Sequence, residues 1–309
     1  MAQKFRFKDL GKLLKETFKE WNALDPFRES AVIAYYTVFS LPGLLIMVIK
    51  SAGALFGEEA VRGEITGQIS GMIGQQAAEA VQSMIKNALS TQDSTFALVV
   101  GIGSLLFGAT GVFFQLQKSF NLIWEVEPDT SGNAIMKLLT DRATSFGMIM
   151  VIAFLLLISL VVSTLISTLS DWMIEELPIS DIVIYIMTTI EILISLSLIG
   201  ILFGFMFKTL PDREIAWKTV GIGGIVTAVL FTLGKEGLSL YFGLAEPAST
   251  YGVAGSVVLI LLWVSYACLI LFFGAEFTKV YARFYGHRTK VSKHAKSKEK
   301  LTEHRPTSL

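Results

Sequence analysis

The chain has 309 residues, 52% of them hydrophobic and only 17% charged, and its 26 basic residues balance its 26 acidic ones. A soluble domain of this length needs a charged exterior over most of its helices, and long stretches here lack one. A formal net charge of zero gives no ground for a nucleic-acid or acidic partner, so only the distribution of charge along the chain is informative.

The first thirty residues are polar and hold seven Lys or Arg. That is longer than the charged region of a secretory signal, and no small-residue cleavage site follows the first apolar run, so the run is expected to stay as a membrane span. Phe7, Leu10, Leu14, Phe18 and Trp21 recur at helical spacing beside Lys8, Lys12, Lys15 and Lys19, the pattern of a helix lying on an anionic inner leaflet. Asp25-Pro26 is expected to end that helix.

A helix needs about 20 mostly apolar residues to cross a hydrocarbon core roughly 30 Å thick. Six segments meet that need: Ala31–Phe56, Phe96–Gln115, Ser145–Ser170, Ile182–Phe207, Trp217–Phe242 and Tyr251–Phe277. Basic residues concentrate in cytoplasmic segments, and here they fall in alternate loops: Lys118, Lys137 and Arg142 after the second span, Lys208, Arg213 and Lys218 after the fourth, and nine from Lys279 onward. The opposite loops hold only Arg62 and Lys86. The predicted fold is therefore an all-α polytopic membrane protein with six transmembrane helices and both termini cytoplasmic. Residues 1–30 form a cytoplasmic amphipathic helix, residues 31–284 the transmembrane domain with an external helical loop over 57–95, and residues 285–309 a disordered, basic cytoplasmic tail. The tail's basic residues fit a topology signal and an inner-leaflet contact better than a nucleic-acid arm.

The external loop carries amphipathic helices, with apolar faces marked by Val61, Ile65, Ile69, Met72 and Ile73, then Ala77, Val81, Met84, Ile85 and Ala88. Such faces either pack onto the outer ends of the spans or cap a cavity. The single cysteine, Cys268, lies in an apolar run and offers neither a disulfide framework nor metal-type spacing.

An ionisable group in hydrocarbon costs several kcal/mol unless paired or hydrated, which makes each one a functional candidate. Lys50, Glu191, Lys235 and Glu236 fall at one depth, roughly 7 to 12 Å below the outer boundary at about 1.5 Å of rise per residue. Ser159, Ser163 and Ser167 form an i, i+4 stripe in the same half of the third span. These residues are the candidate substrate pathway, a hydrated pocket open to the outer side. The competing reading is that Lys50 snorkels, Lys235 and Glu236 find separate neighbours, and the serines serve helix packing. Glu276, before a basic stretch, is read as structural, meeting cytoplasmic water or Arg283. The glycines at 101, 103, 108 and 111 and at 221, 223 and 224 mark close helix approach. Pro42 breaks a backbone hydrogen bond in the first span, with Ser40 or a neighbouring helix compensating.

The run Ala34-Tyr35-Tyr36-Thr37-Val38-Phe39-Ser40-Leu41-Pro42 resembles the signature of the YihY/BrkB family of bacterial inner-membrane proteins. Further runs agree in order and spacing: Leu116 to Trp124 with Asn121 inside it, Leu210-Pro211 before Trp217, Tyr251-Gly252, Leu261-Leu262-Trp263, and Gly274-Ala275-Glu276. The resemblance covers about Pro26 to Phe284, although the proline often lies one residue later in the family. It implies six spans. It also implies an association with serum resistance and with movement of lipid or lipopolysaccharide, alongside an old ribonuclease name regarded as mistaken.

The leading functional expectation is translocation of a lipid or other amphiphilic envelope substrate, with membrane lipids and envelope lipid-transport proteins as partners. No cofactor, metal or nucleic acid is expected. No Walker-type loop is present, so energy would come from an ion gradient or a partner. A non-transporting envelope scaffold is the alternative. A ribonuclease would need clustered ligands facing cytoplasmic RNA, whereas His287, His294 and His304 all lie in the tail.

Overall fold

A computed structural model describes residues 9–73, 78–79, 81–83, 86, 95–128, 181–245, 255–285, 290–291 and 295–297. The helices are α1 (Leu10–Ala23), α2 (Pro26–Phe56), α3 (Glu58–Ile73), α4 (Thr95–Ile123), α5 (Asp181–Thr209), α6 (Trp217–Ala245) and α7 (Gly255–Phe284). Four short strands accompany them: β1 (Val126–Pro128), β2 (Arg213–Glu214), β3 (Lys290–Val291) and β4 (Ala295–Ser297). Five predicted spans coincide with α2, α4, α5, α6 and α7, and the third, 145–170, lies outside the described residues. Asp25, in the left-handed region at φ 49, breaks the chain between α1 and α2, with Pro26 at the first turn of the next helix where its missing N–H costs nothing.

The surface is apolar as well as the core, and some polar groups are buried. Leu106, Phe107, Phe114, Ile192, Leu193, Ile225, Leu233 and Leu240 are exposed, while Glu29, Gln115, Ser119, Thr227, Glu276 and Thr278 are buried. Exposed apolar surface of this extent marks contact with lipid or a partner. Among the described residues three segments are long and apolar enough to cross a membrane: Ile192–Thr209, Trp217–Leu244 and Val257–Phe284.

The chain divides into two compact units. One comprises the described residues within Met1–Glu20, Phe120–Leu230 and Phe273–Leu309. Here α5 and α6 meet backbone to backbone. A Cβ on Gly224 would collide with the Gly200 carbonyl and lie 2.8 Å from the Gly204 nitrogen, so the Gly200–Gly204 pair, four residues apart, forms the small-residue seam typical of close membrane-helix crossings. α6 and α7 meet through a reciprocal pair: Gly223 faces Thr278 and Gly274 faces Thr227. Each threonine hydroxyl donates, at 2.7 Å, to the carbonyl of the glycine four residues before it on its own helix, so the crossing buries no unpaired hydroxyl. The expected close approach thus holds at Gly223 and Gly224, while Gly221 has nothing within 4 Å.

On α1, Leu13 and Thr17 are buried, and Leu13 packs with Phe277, Val280, Tyr281 and Tyr285 at the end of α7. Leu14 and Phe18, on the apolar face predicted for the leaflet, stay exposed. The tail, expected to be disordered, instead supplies two strands: β3 pairs antiparallel with β2, and β4 with β1. The physical reason is that the turns after α4 and α5 leave backbone groups unpaired, and an extended tail satisfies them whatever its side-chain composition.

The other unit comprises the described residues within Trp21–Ser119 and Phe231–Phe272. α2 and α4 cross where Gly108 meets Ser40 and the Tyr36 carbonyl, and Gly111 lies against the Tyr36 ring. Pro42 deprives the Val38 carbonyl of its helical partner. Hydroxyls reach the carbonyls on either side of Val38: Ser104 of α4 donates to Phe39 and Ser40 to Thr37. Val61, Ile65 and Val81 of the loop pack with Leu45, Ile49 and Ile260; the side chains of Ile69, Met72, Ile73, Ala77, Met84, Ile85 and Ala88 lie outside the described residues.

Candidate functional site

Lys235 and Glu236 lie in α6 and pair with each other at 3.4 Å, Glu236 being the more exposed of the two. Lys50 in α2 and Glu191 in α5 are described in backbone only, and Ser159, Ser163 and Ser167 lie outside the described residues, as do Tyr251 and Gly252. Of the predicted pathway, the structure therefore brings together one adjacent pair.

The resemblance-derived residues fall at helix crossings and turns. Tyr36 and Ser40 line the α2–α4 crossing, while Tyr35 is exposed, its ring tilted against Phe39. Trp263 meets Phe231 edge to face and lies tilted against Tyr266. Asn121 exchanges two hydrogen bonds with Asp212: its amide donates to the carboxylate, and the Asp212 N–H donates back, each at 2.8 Å. Arg213 donates to the Trp124 carbonyl at 2.6 Å and lies over that indole ring. Trp124 is buried, and its ring and chain end hold the turn after α5 against the end of α4.

Around the last turns of α7, charged groups converge. Glu276 is fully buried and pairs with Lys279 at 2.8 Å. Lys279 also reaches Glu20 of α1 at 3.0 Å and Glu125 at 3.3 Å, while Arg283 pairs with Glu20 and, at 3.7 Å, with Glu16. Glu125 follows α4 with φ 54, a left-handed residue that turns the chain and aims its carboxylate at Lys279. This corrects the expectation for Glu276. Its direct ion pair is with Lys279, because an i, i+3 spacing sets that cation above it on the same helix face, and Glu20 of α1 reaches the same cation.

Burial acts to raise the Glu20 carboxyl, but hydrogen bonds to Arg283 and Lys279 outweigh it and hold the group at about 2, below its ordinary 4.5. A carboxyl lowered on folding contributes stability that is present above its unfolded value and lost as pH falls toward its folded value. Wild-type protein in detergent should therefore be more stable than Glu20→Gln at pH 7 and should lose that advantage between about pH 4.5 and 2. Thermal melts of both across the window check this; a constant offset would remove Glu20 from the stabilising network.

A second buried carboxylate escaped the sequence reading. Glu29, in the first turn of α2, accepts hydrogen bonds from Gln115 and, at 2.9 Å, from Ser119, both on α4, and lies 3.3 Å from Arg28. Its position favours a negative charge at a helix start. The available signal was Ser119, which stands inside one of the matched runs. Among the described residues no three His, Cys, Asp or Glu side chains form a group able to hold a metal ion.

The family described as Virulence factor BrkB matches residues 17–299. A UPF0761 membrane protein of Teredinibacter turnerae is 26% identical over 279 residues, covering 90% of this chain and 62% of that protein. One from Alteromonas mediterranea is 23% identical, covering 80% and 79%. The Bacillus subtilis protein YfkH, named as ribonuclease-like, is 21% identical, covering 85% and 92%. The chain spans about three fifths of the length of the Teredinibacter protein and of its Saccharophagus degradans counterpart. No solved structure matches.

Proposed function

The chain belongs to the BrkB family of membrane proteins, and from that premise we propose that it translocates a lipid or other amphiphilic envelope substrate across the bacterial inner membrane. In this reading it has six spans with both termini cytoplasmic, acts without a cofactor and not as an enzyme, and works with membrane lipids and envelope lipid-transport proteins. The paired ends support a common side: the turn after α4 bonds the turn after α5 through Asn121 and Asp212, and meets α7 and α1 through Glu125, Lys279 and Glu20. Lys208, Arg213, Lys279 and Arg283 all stand at these ends, as expected for a cytoplasmic face.

The observation that carries the reading is Glu276, fully buried within a span-length helix. Four carboxylates, Glu16, Glu20, Glu125 and Glu276, surround only two cations, Lys279 and Arg283. Of these only Glu276 is fully withdrawn from water, and a buried carboxylate with other acids beside its one cation invites a proton, which is what coupling to a proton gradient requires. Against a scaffold, Ile65 and Val81 of the external loop are engaged within the chain itself.

The test is transbilayer movement of fluorescent phospholipids in liposomes holding the full protein, beside Glu276→Gln, Glu191→Ala and Lys235→Ala. Wild type should move lipid, faster under an imposed pH gradient. Glu276→Gln should still fold, because Lys279 keeps Glu20 and Glu125 as partners, and should lose the response to that gradient. No movement from folded wild type with several headgroups would sink the reading.

A further inference from the structure

α1 has two faces with different tasks. One is occupied: Leu13 and Thr17 are buried, Leu13 lies among Phe277, Val280, Tyr281 and Tyr285, and Glu16 and Glu20 hold Arg283. The other is solvent-exposed and continuous. Gly11, Leu14, Phe18 and Asn22 follow one another at three- and four-residue steps, all exposed, with Leu14 37% and Phe18 57% accessible. Lys12, Lys15 and Lys19 are exposed beside this line, and no acidic residue stands within it.

The level of α1 follows from what it touches. The apolar segment of α7, Val257–Phe284, has 28 residues, about 42 Å at 1.5 Å per residue, against a hydrocarbon core of roughly 30 Å. Its last turns therefore reach the headgroup zone, and α1 is fastened to those turns. A helix held there with two large apolar side chains between lysines matches an anionic lipid surface: the apolar groups enter the acyl boundary and the ammonium groups meet phosphate.

We propose that the Lys12, Lys15 and Lys19 face of α1 is a docking surface for anionic phospholipid headgroups, with Leu14 and Phe18 inserted among them. The occupied face fixes the presentation, since the ion pairs to Arg283 and the Leu13 contact orient the helix before it meets lipid. This surface does not depend on the translocation reading. A protein with no transport activity would show it equally.

The experiment uses full-length protein. Cys268 is the chain's one cysteine and is buried, so Gly11→Cys, with nothing within 4 Å of its Cβ, accepts a single environment-sensitive fluorophore at the first position of the exposed line, one turn from Leu14 and Lys15. The labelled protein is placed in nanodiscs of phosphatidylcholine alone or with phosphatidylglycerol. Phosphatidylglycerol should blue-shift the fluorophore and shield it from aqueous iodide. Each lysine near an anionic surface contributes about fivefold, so Lys12→Gln, Lys15→Gln and Lys19→Gln together should shift the docked-to-undocked ratio by roughly a hundredfold and abolish the shift. Phe18→Ser should weaken the iodide shielding while leaving the salt dependence. A fluorophore indifferent to phosphatidylglycerol in the melt-competent parent would overturn the proposal. So would shielding that is the same in both lipids, which would mean a protein rather than lipid covers this face.

Discussion

Lys279→Met should destabilise the protein by about 3–5 kcal/mol, the usual cost of removing one partner from a buried ion pair. Glu276 is fully buried, and Lys279 lies 2.8 Å from it, so the single change leaves an uncompensated charge inside the protein. Glu20 and Glu125 lose the same cation, but Glu20 keeps Arg283 and Glu125 is well exposed, so their share is small. Changing both members, Glu276→Leu with Lys279→Met, removes the buried charge along with its partner and should return stability to within about 1 kcal/mol of wild type. Equilibrium denaturation in mixed micelles gives both values. A single variant as stable as wild type would mean that the pair is solvated; a double variant as unstable as the single one would assign the loss to contacts of the Lys279 stem.

Gly224→Ala carries the second large effect. Its new methyl would strike the Gly200 carbonyl and lie 3.1 Å from the Gly204 Cα, and backbone cannot rotate out of the way as a side chain can. Forcing one methyl into such a seam costs about 1–3 kcal/mol. Gly221→Ala, one turn earlier on α6 and with nothing within 4 Å, should instead gain up to about 1 kcal/mol from helix propensity. The same denaturation series therefore moves in opposite directions for one chemical change. Equal effects at both sites would refute the α5–α6 crossing.

The contrast between those glycines shows what the sequence could and could not disclose. Apolar runs of span length announced α2, α4, α5, α6 and α7, because a membrane helix must satisfy its backbone internally and cover itself with apolar side chains. A glycine in such a run announces only that something is close, so Gly221 and Gly224 read alike until the neighbouring helix was in place. The Gly200–Gly204 spacing was a legible signal that went unused. Glu29 was passed over because its partners, Gln115 and Ser119, lie 86 and 90 residues away in sequence, and no periodicity links them. Glu276 was misjudged for a related reason. Its basic sequence neighbours suggested an interface, while the residues that bury it include an N-terminal helix distant in sequence. Asn121, in the last turn of α4, and Trp124, just beyond it, stand out by resemblance alone; of the residues that explain them, Arg213 reads in the sequence only as a basic loop residue and Asp212 carries no signal.

The two ladders set by the tail also impose an order on biosynthesis. β1 ends at Pro128 and β2 at Glu214, whereas their partners begin at Ala295 and Lys290. At about 5–20 residues per second of synthesis, the turn after α4 leaves the ribosome on the order of ten seconds or more before the strand that will pair with it. Through that interval α5, α6 and α7 are made while the β1 backbone still lacks its ladder partner. Pairing the tail is thus among the last acts of assembly, and a chain stalled before residue 290 would hold these two turns together only through Asn121–Asp212 and Arg213–Trp124, without either ladder.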